Sequence, residues 1–303
     1  MKLQDNGQLQ ASKTRQRVHL ASGRTLAFDE YGRADGFPVV YMHGTPGSRL
    51  EWLFFATDEM TRAANVRLIV PDRPGIGLSG FQPERKVSDW PEDVKVLANH
   101  IGLERFSVLG LSGGCPYALV CAVRMPERIA SVGIVSGIGP QDIPGLTAGM
   151  NPNTLRMLHM SIERPAAFRL IWASLGLLAR LSPRLMAVQA SSAFSPVDQQ
   201  LLRQHEHAER FVAMFREALR QGTKGLQQDV ALMISPWDFQ PHNVSAPVAI
   251  WQGDLDTDAT PAMARYLAEQ IPNARLTFFK EEGHISLIMN HVQDVLSALV
   301  AAA

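Results

Sequence analysis

A serine at 112, an aspartate at 256 and a histidine at 284 are, by type and chain order, a set that could perform acyl transfer. Ser112 lies in "SVLGLSGGCPYAL" (Ser107 to Leu119), with Gly110 two residues before it and Gly114 two after. A serine framed this way can be a nucleophile held on a sharp strand-to-helix turn. Side chains at the framing positions would collide with that strand and helix. The pattern alone is weak, since it arises by chance in roughly one 300-residue chain in ten. Its context strengthens it: "FSVL" before the serine is apolar enough for a buried parallel strand, and the residues after it alternate small and large like a buried helix. A helix starting there would aim amides and a favourable dipole at developing negative charge, and Pro116 suits its first turn.

Two further stretches supply partners. In "FFKEEGHISL", His284 follows a strand pattern and a glycine and stands at the start of the last helix, where it could take the serine proton as general base. In "AIWQGDLDTDATP", Asp256 lies just beyond a strand end; a buried carboxylate there would fix the imidazole tautomer and stabilise the imidazolium. "MHGTPGSR" places Thr45 just after another strand, where its backbone N–H could join that of Gly113 as an oxyanion hole. His43 reads as a structural hydrogen-bonding residue, Asp72 and Arg73 in "PDRPG" as organisers of their own loop, and Cys115 as a small packed hydrophobe.

These residues need a scaffold. "RVHLASGRTLAFDEYG" alternates about Ser22-Gly23 like a hairpin, and "PVVYMHG" is a continuous apolar strand. Then follow a helix over "RLEWLFFATDEMTRAA", a strand "VRLIVPD", a helix over "VSDWPEDVKVLANHIGL", the strand before Ser112, its helix, and the strand "SVGIVSG". Such alternation predicts a mainly parallel sheet with helices on both faces. From Gly139 to about Met233 only helical patterns occur, among them "NTLRMLHM", "AAFRLIWASLGLLARL" and "QQLLRQHEHAERFVAMFREALRQG". Strand and helix then alternate again to the end. The division this implies is a polar tail over 1–16, an α/β core over 17–138 and 234–303, and a helical lid inserted over 139–233. Met150, Met157, Met160, Phe168 and Trp172 could line an apolar pocket or pack the lid on the core.

The 303 residues are 46% hydrophobic, and 29 basic residues balance 29 acidic ones. No global field attracts nucleic acid, anionic lipid or polyanions, although local patches remain possible. Neither nucleic acid nor a membrane is therefore expected as a partner; a small-molecule substrate is. Cys115 and Cys121 point to different faces of one helix and form no disulfide framework. The opening "MKLQDNGQLQASKTRQR" lacks the apolar core of a signal peptide, and "LIWASLGLLA" is too short to span a bilayer, which together suggest a cytoplasmic protein. No His or Cys cluster has metal-ligand spacing and no Gly-rich loop fits a phosphate, so no metal or cofactor is expected.

From about Arg17 to Val300 the chain resembles the α/β-hydrolase superfamily, in its lid-bearing group of esterases, proline iminopeptidases and carbon–carbon bond hydrolases. The resemblance rests on "HGTPGS", "PDRPGIGLS", "GLSGG", "GDLDTDATP" and "EGHISL" in that order. It implies an α/β-hydrolase fold with Ser112 as nucleophile, Asp256 as acid, His284 as base, and the amides of Thr45 and Gly113 as oxyanion hole. The family commonly has a glycine, the acid three residues later and a proline four after that. Here Gly253, Asp256 and Pro261 leave one extra residue, so Asp254 and Asp258 are rivals to Asp256. Family dehalogenases and epoxide hydrolases carry aspartate where Ser112 stands, which disfavours those chemistries. The function implied is a cofactor-independent serine hydrolase acting on an ester or thioester of a small to medium, mostly apolar molecule. Alternatives are an amide hydrolase at a peptide N-terminus, for which Glu163, Glu206, Glu209 and Glu217 could anchor an ammonium group, a carbon–carbon bond hydrolase, and a non-catalytic receptor on the same fold.

Overall fold

The structure, a computed structural model, describes residues 13–302. Its centre is an eight-stranded sheet: β1 (Lys13–His19), β2 (Thr25–Gly32), β3 (Phe37–Met42), β4 (Val66–Pro71), β5 (Phe106–Leu111), β6 (Ile129–Val135), β7 (Val248–Gly253) and β8 (Ala274–Phe279). The spatial order is β1-β2-β4-β3-β5-β6-β7-β8. The first two pairings, β1 with β2 and β2 with β4, are antiparallel, and all others are parallel. The apolar runs predicted as central strands are buried along their length: every residue of β5 and β6 is buried, as a sheet covered on both faces requires.

The covering helices follow from the connections. On one face α3 (Trp90–His100), α4 (Cys115–Arg124) and α11 (Pro261–Gln270) pack through Leu97, Leu119 and Leu267. On the other lie α1 (Trp52–Phe55), α2 (Asp58–Ala63) and α12 (Ser286–Ala301), with Trp52, Phe54, Val292 and Leu296 in the core. Between β6 and β7 the chain forms six helices: α5 (Pro152–Glu163), α6 (Pro165–Leu181), α7 (Pro183–Ser191), α8 (Pro196–Leu202), α9 (His205–Ala218) and α10 (Lys224–Ile234). Of the polar tail expected over 1–16, residues 1–12 lie outside the described residues, and 13–16 belong to β1.

Two helices expected as continuous are divided. The first breaks at Ala56, which is extended, and Thr57 restarts it as an N-cap, its side chain accepting from the Met60 N–H at 3.1 Å. The second breaks between α8 and α9, where Gln204 is extended. Leu202 and Phe211, both buried, are nine residues apart; on one helix they would point in opposite directions, and the break lets both reach the core.

This topology selects one edge for a site. From β3 the chain turns outward to β4 and then crosses back to β5 on the other side, so the loops after β3 and β5 diverge and leave a crevice at their carboxyl ends.

Candidate active site

Ser112 follows β5 directly and adopts φ +51°, a left-handed conformation unfavourable for a side-chain-bearing residue. Its glycines have the mechanical role the sequence suggests. A Cβ on Gly114 would lie 2.0 Å from the Met42 carbonyl oxygen, and one on Gly110 would lie 2.9 Å from the Ala118 Cβ. A single 3-10 turn over Ser112–Gly114 leads into α4, with Pro116 in its first turn.

Opposite this turn is the loop after β3. A Cβ on Gly44 would stand 3.5 Å from the Ser112 Cβ, and one on Gly113 would stand 2.6 Å from the Thr45 Oγ1. The structure thus brings Ser112, Gly113 and Thr45 together. The Gly44 N–H is committed to the Glu51 Oε2 at 2.7 Å, whereas the Thr45 N–H has no hydrogen-bond partner among the described residues.

The loop owes its shape to a buried charge cluster. Arg73 donates to the carbonyls of His43 and Gly44, to the Thr45 Oγ1 at 2.8 Å, and to both oxygens of Asp229. The single Asp229 carboxylate, on α10, also accepts from Arg85, the Tyr117 hydroxyl and the Thr45 hydroxyl. Burial opposes its ionisation, but Arg73 and Arg85 hold it well below the usual carboxylate range. His43 is fully buried, its Nδ1 2.9 Å from the Gly44 carbonyl and its Nε2 accepting from the Arg73 N–H. Burial, and next the Arg73 charge, push its pKa well down, which keeps it neutral and structural. Arg73 therefore does more than organise its own loop, because it shapes the neighbouring one.

At the carboxyl ends of β7 and β8, the His284 Nδ1 lies 2.9 Å from the Asp256 Oδ2. The other Asp256 oxygen accepts from the N–H groups of Asp258 and Ala259, both at 2.9 Å. The rivals are placed differently: Asp254 is exposed and accepts from the Glu281 N–H, and Asp258 accepts from Thr154 on α5. The extra residue before Pro261 is absorbed in the turn that wraps Asp256. Burial lowers the His284 pKa, but Asp256 first, then Asp258 and Asp198, outweigh it and raise the value above that of an ordinary histidine. Asp256, Asp258 and His284 bring ligand atoms within 4.8 Å of one another, a grouping the sequence spacing did not reveal. With the histidine Nδ1 already bonded to one carboxylate, the donor set suits proton transfer directly, and a cation there would compete with that bond.

Four participants carry no signature in the sequence. Asp198, on α8, is fully buried and accepts from the N–H groups of His284, Ile285 and Ser286 and from the Ser195 hydroxyl. Glu51 accepts from the Tyr41 hydroxyl and the Gly44 N–H. Burial raises its pKa to about 7 against the pull of those bonds, and it senses the His284 charge, which links the two halves of the site. Met233 brings its sulfur within 2.7 Å of where a Gly113 Cβ would be, and the Phe194 ring stacks on His284 at 6.4 Å between centroids. Of the expected pocket residues, Met150 and Phe168 are buried in the core cluster, and Met157, Met160 and Trp172 pack against it. No single motif could have found Asp198 or Asp229, because their partners lie 86 and 156 residues away.

Residues 38–290 match the model of the alpha/beta hydrolase fold family, and the chain belongs to that family. It is 24% identical to an uncharacterized hydrolase, YcgS, of Bacillus subtilis over 92% of this chain and 94% of that protein. It is 22% identical to a proline iminopeptidase of Lactobacillus helveticus over 84% and 86% of the two chains. A 31% identical stretch shared with the dihydrolipoyllysine-residue acetyltransferase component of an acetoin cleaving system from Pseudomonas putida spans 44% of this chain and only 37% of that protein. Among solved structures, a thermophilic esterase from Thermogutta terrifontis superposes with a TM-score of 0.65 at 22% identity, covering 94% of this chain and 97% of the other. No helix among the described residues is long and apolar enough to cross a membrane.

Proposed function

We propose that the protein is a cofactor-independent serine hydrolase that cleaves an ester or thioester of a small to medium, mostly apolar molecule. The observation that carries this reading is the 2.9 Å bond between His284 and a buried, fully engaged Asp256, on the same sheet edge as a serine held at φ +51°. In the proposed reaction the Ser112 hydroxyl attacks the substrate carbonyl carbon while its proton passes to the His284 Nε2. Asp256 stabilises the resulting imidazolium. The N–H groups of Thr45 and Gly113 bind the oxyanion, and collapse of the tetrahedral intermediate expels the alcohol or thiol, which takes the proton from His284. Water, deprotonated by His284, then attacks the acyl-enzyme, and the acid leaves with Ser112 restored.

An amide hydrolase acting at a peptide N-terminus has support from the iminopeptidase relative, but the glutamates that could anchor the ammonium group are paired or exposed to solvent. Glu217 is paired with Arg49 at 2.7 Å, Glu206 with Arg210 and Glu209 with His205, and Glu163 is exposed. The ester reading needs no such anchor.

Fluorophosphonate labelling followed by mass spectrometry tests the proposal without a guess about substrate. Modification of Ser112 in the wild type, lost in Ser112→Ala and His284→Ala, is the expected result. A folded wild type that stays unlabelled would favour a receptor. Faster turnover of amino-acid arylamides than of simple esters would favour the peptidase.

A further inference from the structure

Helix α6 is apolar nearly all round. Phe168, Trp172, Leu175 and Leu178 face the core cluster, and Phe168 is fully buried. Leu170, Leu177 and Leu181, spaced seven and four apart on the opposite side, are 70%, 56% and 75% exposed. Leu185 and Val188 continue this exposure onto α7, and Ile162 precedes it at the end of α5. Six of the nine large apolar side chains that are exposed among the described residues thus fall between 162 and 188. A helix apolar on every side is ordinarily buried on every side, so this face wants a second apolar phase.

The charge around the face indicates which phase. Over the same span, 162 to 188, the chain has four arginines (164, 169, 180 and 184) against a single acid, Glu163. None of the four guanidinium groups bonds a carboxylate among the described residues. The overall balance of 29 against 29 conceals this local excess. A two-fold contact between copies would bring the arginines of each against those of the other, with one acid, Glu163, for four arginines. An anionic bilayer surface matches both features, taking leucines below its headgroups and guanidinium groups among its phosphates.

We propose that the α6–α7 face docks the protein on the surface of an anionic phospholipid bilayer, lying in the interface without spanning it. The site edge is built partly by the same six-helix block, through Asp198, Phe194, Asp229 and Met233, so docking would hold the site next to a source of apolar substrates. The docking itself does not depend on the hydrolase reading.

Flotation with vesicles of phosphatidylcholine alone and of equimolar phosphatidylcholine and phosphatidylglycerol tests this, with sedimentation velocity of the lipid-free protein alongside. The wild type should float with the anionic vesicles and be released by salt. Arg180→Gln with Arg184→Gln should weaken binding about thirtyfold at low salt, since each surface cation contributes roughly a fivefold factor. Leu177→Ser with Leu181→Ser should abolish binding while leaving the melting temperature intact, since both positions are solvent-exposed. Absence of flotation, or equal flotation of the wild type and both variants, overturns the proposal. So does a lipid-free dimer that the leucine variant dissolves, which would assign the face to a second copy of the chain.

Discussion

The two halves of the site are positioned by different means. The Ser112 turn is shaped by the strand before it, the helix after it, and two glycines whose missing side chains make room for Met42 of the adjoining strand β3 and for Ala118. The Thr45 and His284 loops are instead held from a distance by carboxylates of the helical block, Asp229 on α10 and Asp198 on α8. These sterics are set once β5, its neighbour β3 and α4 have formed. Remote polar anchoring exists only once the block has packed on the core, so the second half of the site depends on the helical block, whereas the first needs only the sheet and α4.

The largest effect belongs to the locally built half. On the proposed mechanism, Ser112→Ala lowers kcat by about six orders of magnitude, as loss of the nucleophile does in a comparable triad. Because the turn is shaped by Gly110 and Gly114, thermal unfolding of the variant should match that of the wild type. Steady-state kinetics and a melt on one preparation check both parts; residual activity within a factor of about a hundred would mean another group attacks.

Asp229→Asn probes the remote half and should act chiefly on stability. It leaves two cations, Arg73 and Arg85, each nearly wholly buried, without their shared carboxylate. Breaking a buried pair this way costs about 3–5 kcal/mol. In a chain of this size that corresponds to a melting temperature roughly 10 °C lower. If calorimetry finds no change, the cluster does not hold the Thr45 loop. Asp198→Asn should follow at smaller scale, because one amide oxygen replaces a carboxylate that serves three backbone N–H groups and a hydroxyl. Hydrogen bonds to a charged group contribute about 1.5–3 kcal/mol. If this loss falls on the His284 position, kcat/KM drops by about tenfold to a hundredfold. Proton NMR of the imidazole should report the displacement, and an unmoved resonance with normal kinetics would make Asp198 a purely structural cap.

The same contrast explains what the sequence discloses. The alternation of strands and helices, the elbow glycines, Asp256 and His284 are legible because each is encoded within about a dozen residues by period, turn chemistry or motif. The helix breaks at Ala56 and Gln204 are not, since burial of Leu202 together with Phe211 is a tertiary demand that overrides a continuous helical pattern. Nor are Asp198, Asp229 and Glu51, which look like ordinary surface carboxylates until folding buries them against loops far away in the chain. The balanced composition was similarly uninformative about the arginine-only stretch over α6 and α7, because a sum over the chain erases its distribution.

The smallest expected effect bears on how far the remote half tunes the chemistry as well as placing it. Asp258 joins Asp256 and Asp198 in raising the His284 pKa, and it is itself tied to the helical block through Thr154. Burial and the neighbouring Asp256 push its own pKa up, to about 6, so above that pH it presents a negative charge to the imidazole. On the proposed mechanism general-base action needs neutral His284, so activity should be lost as pH falls through the histidine pKa. Because that pKa is raised, the acid limb of kcat/KM should lie above the ordinary histidine value of about 6.5. Asp258→Asn removes one of the charges favouring imidazolium, so the limb should move to lower pH and the variant should keep activity where the wild type has begun to lose it. The shift should be smaller than that caused by Asp256→Asn, which also loses control of the imidazole tautomer and lowers the plateau by about four orders of magnitude. A limb that moves upward in Asp258→Asn, or does not move, would show that this carboxylate does not act on the histidine, and the helical block would then set only the shape of the site.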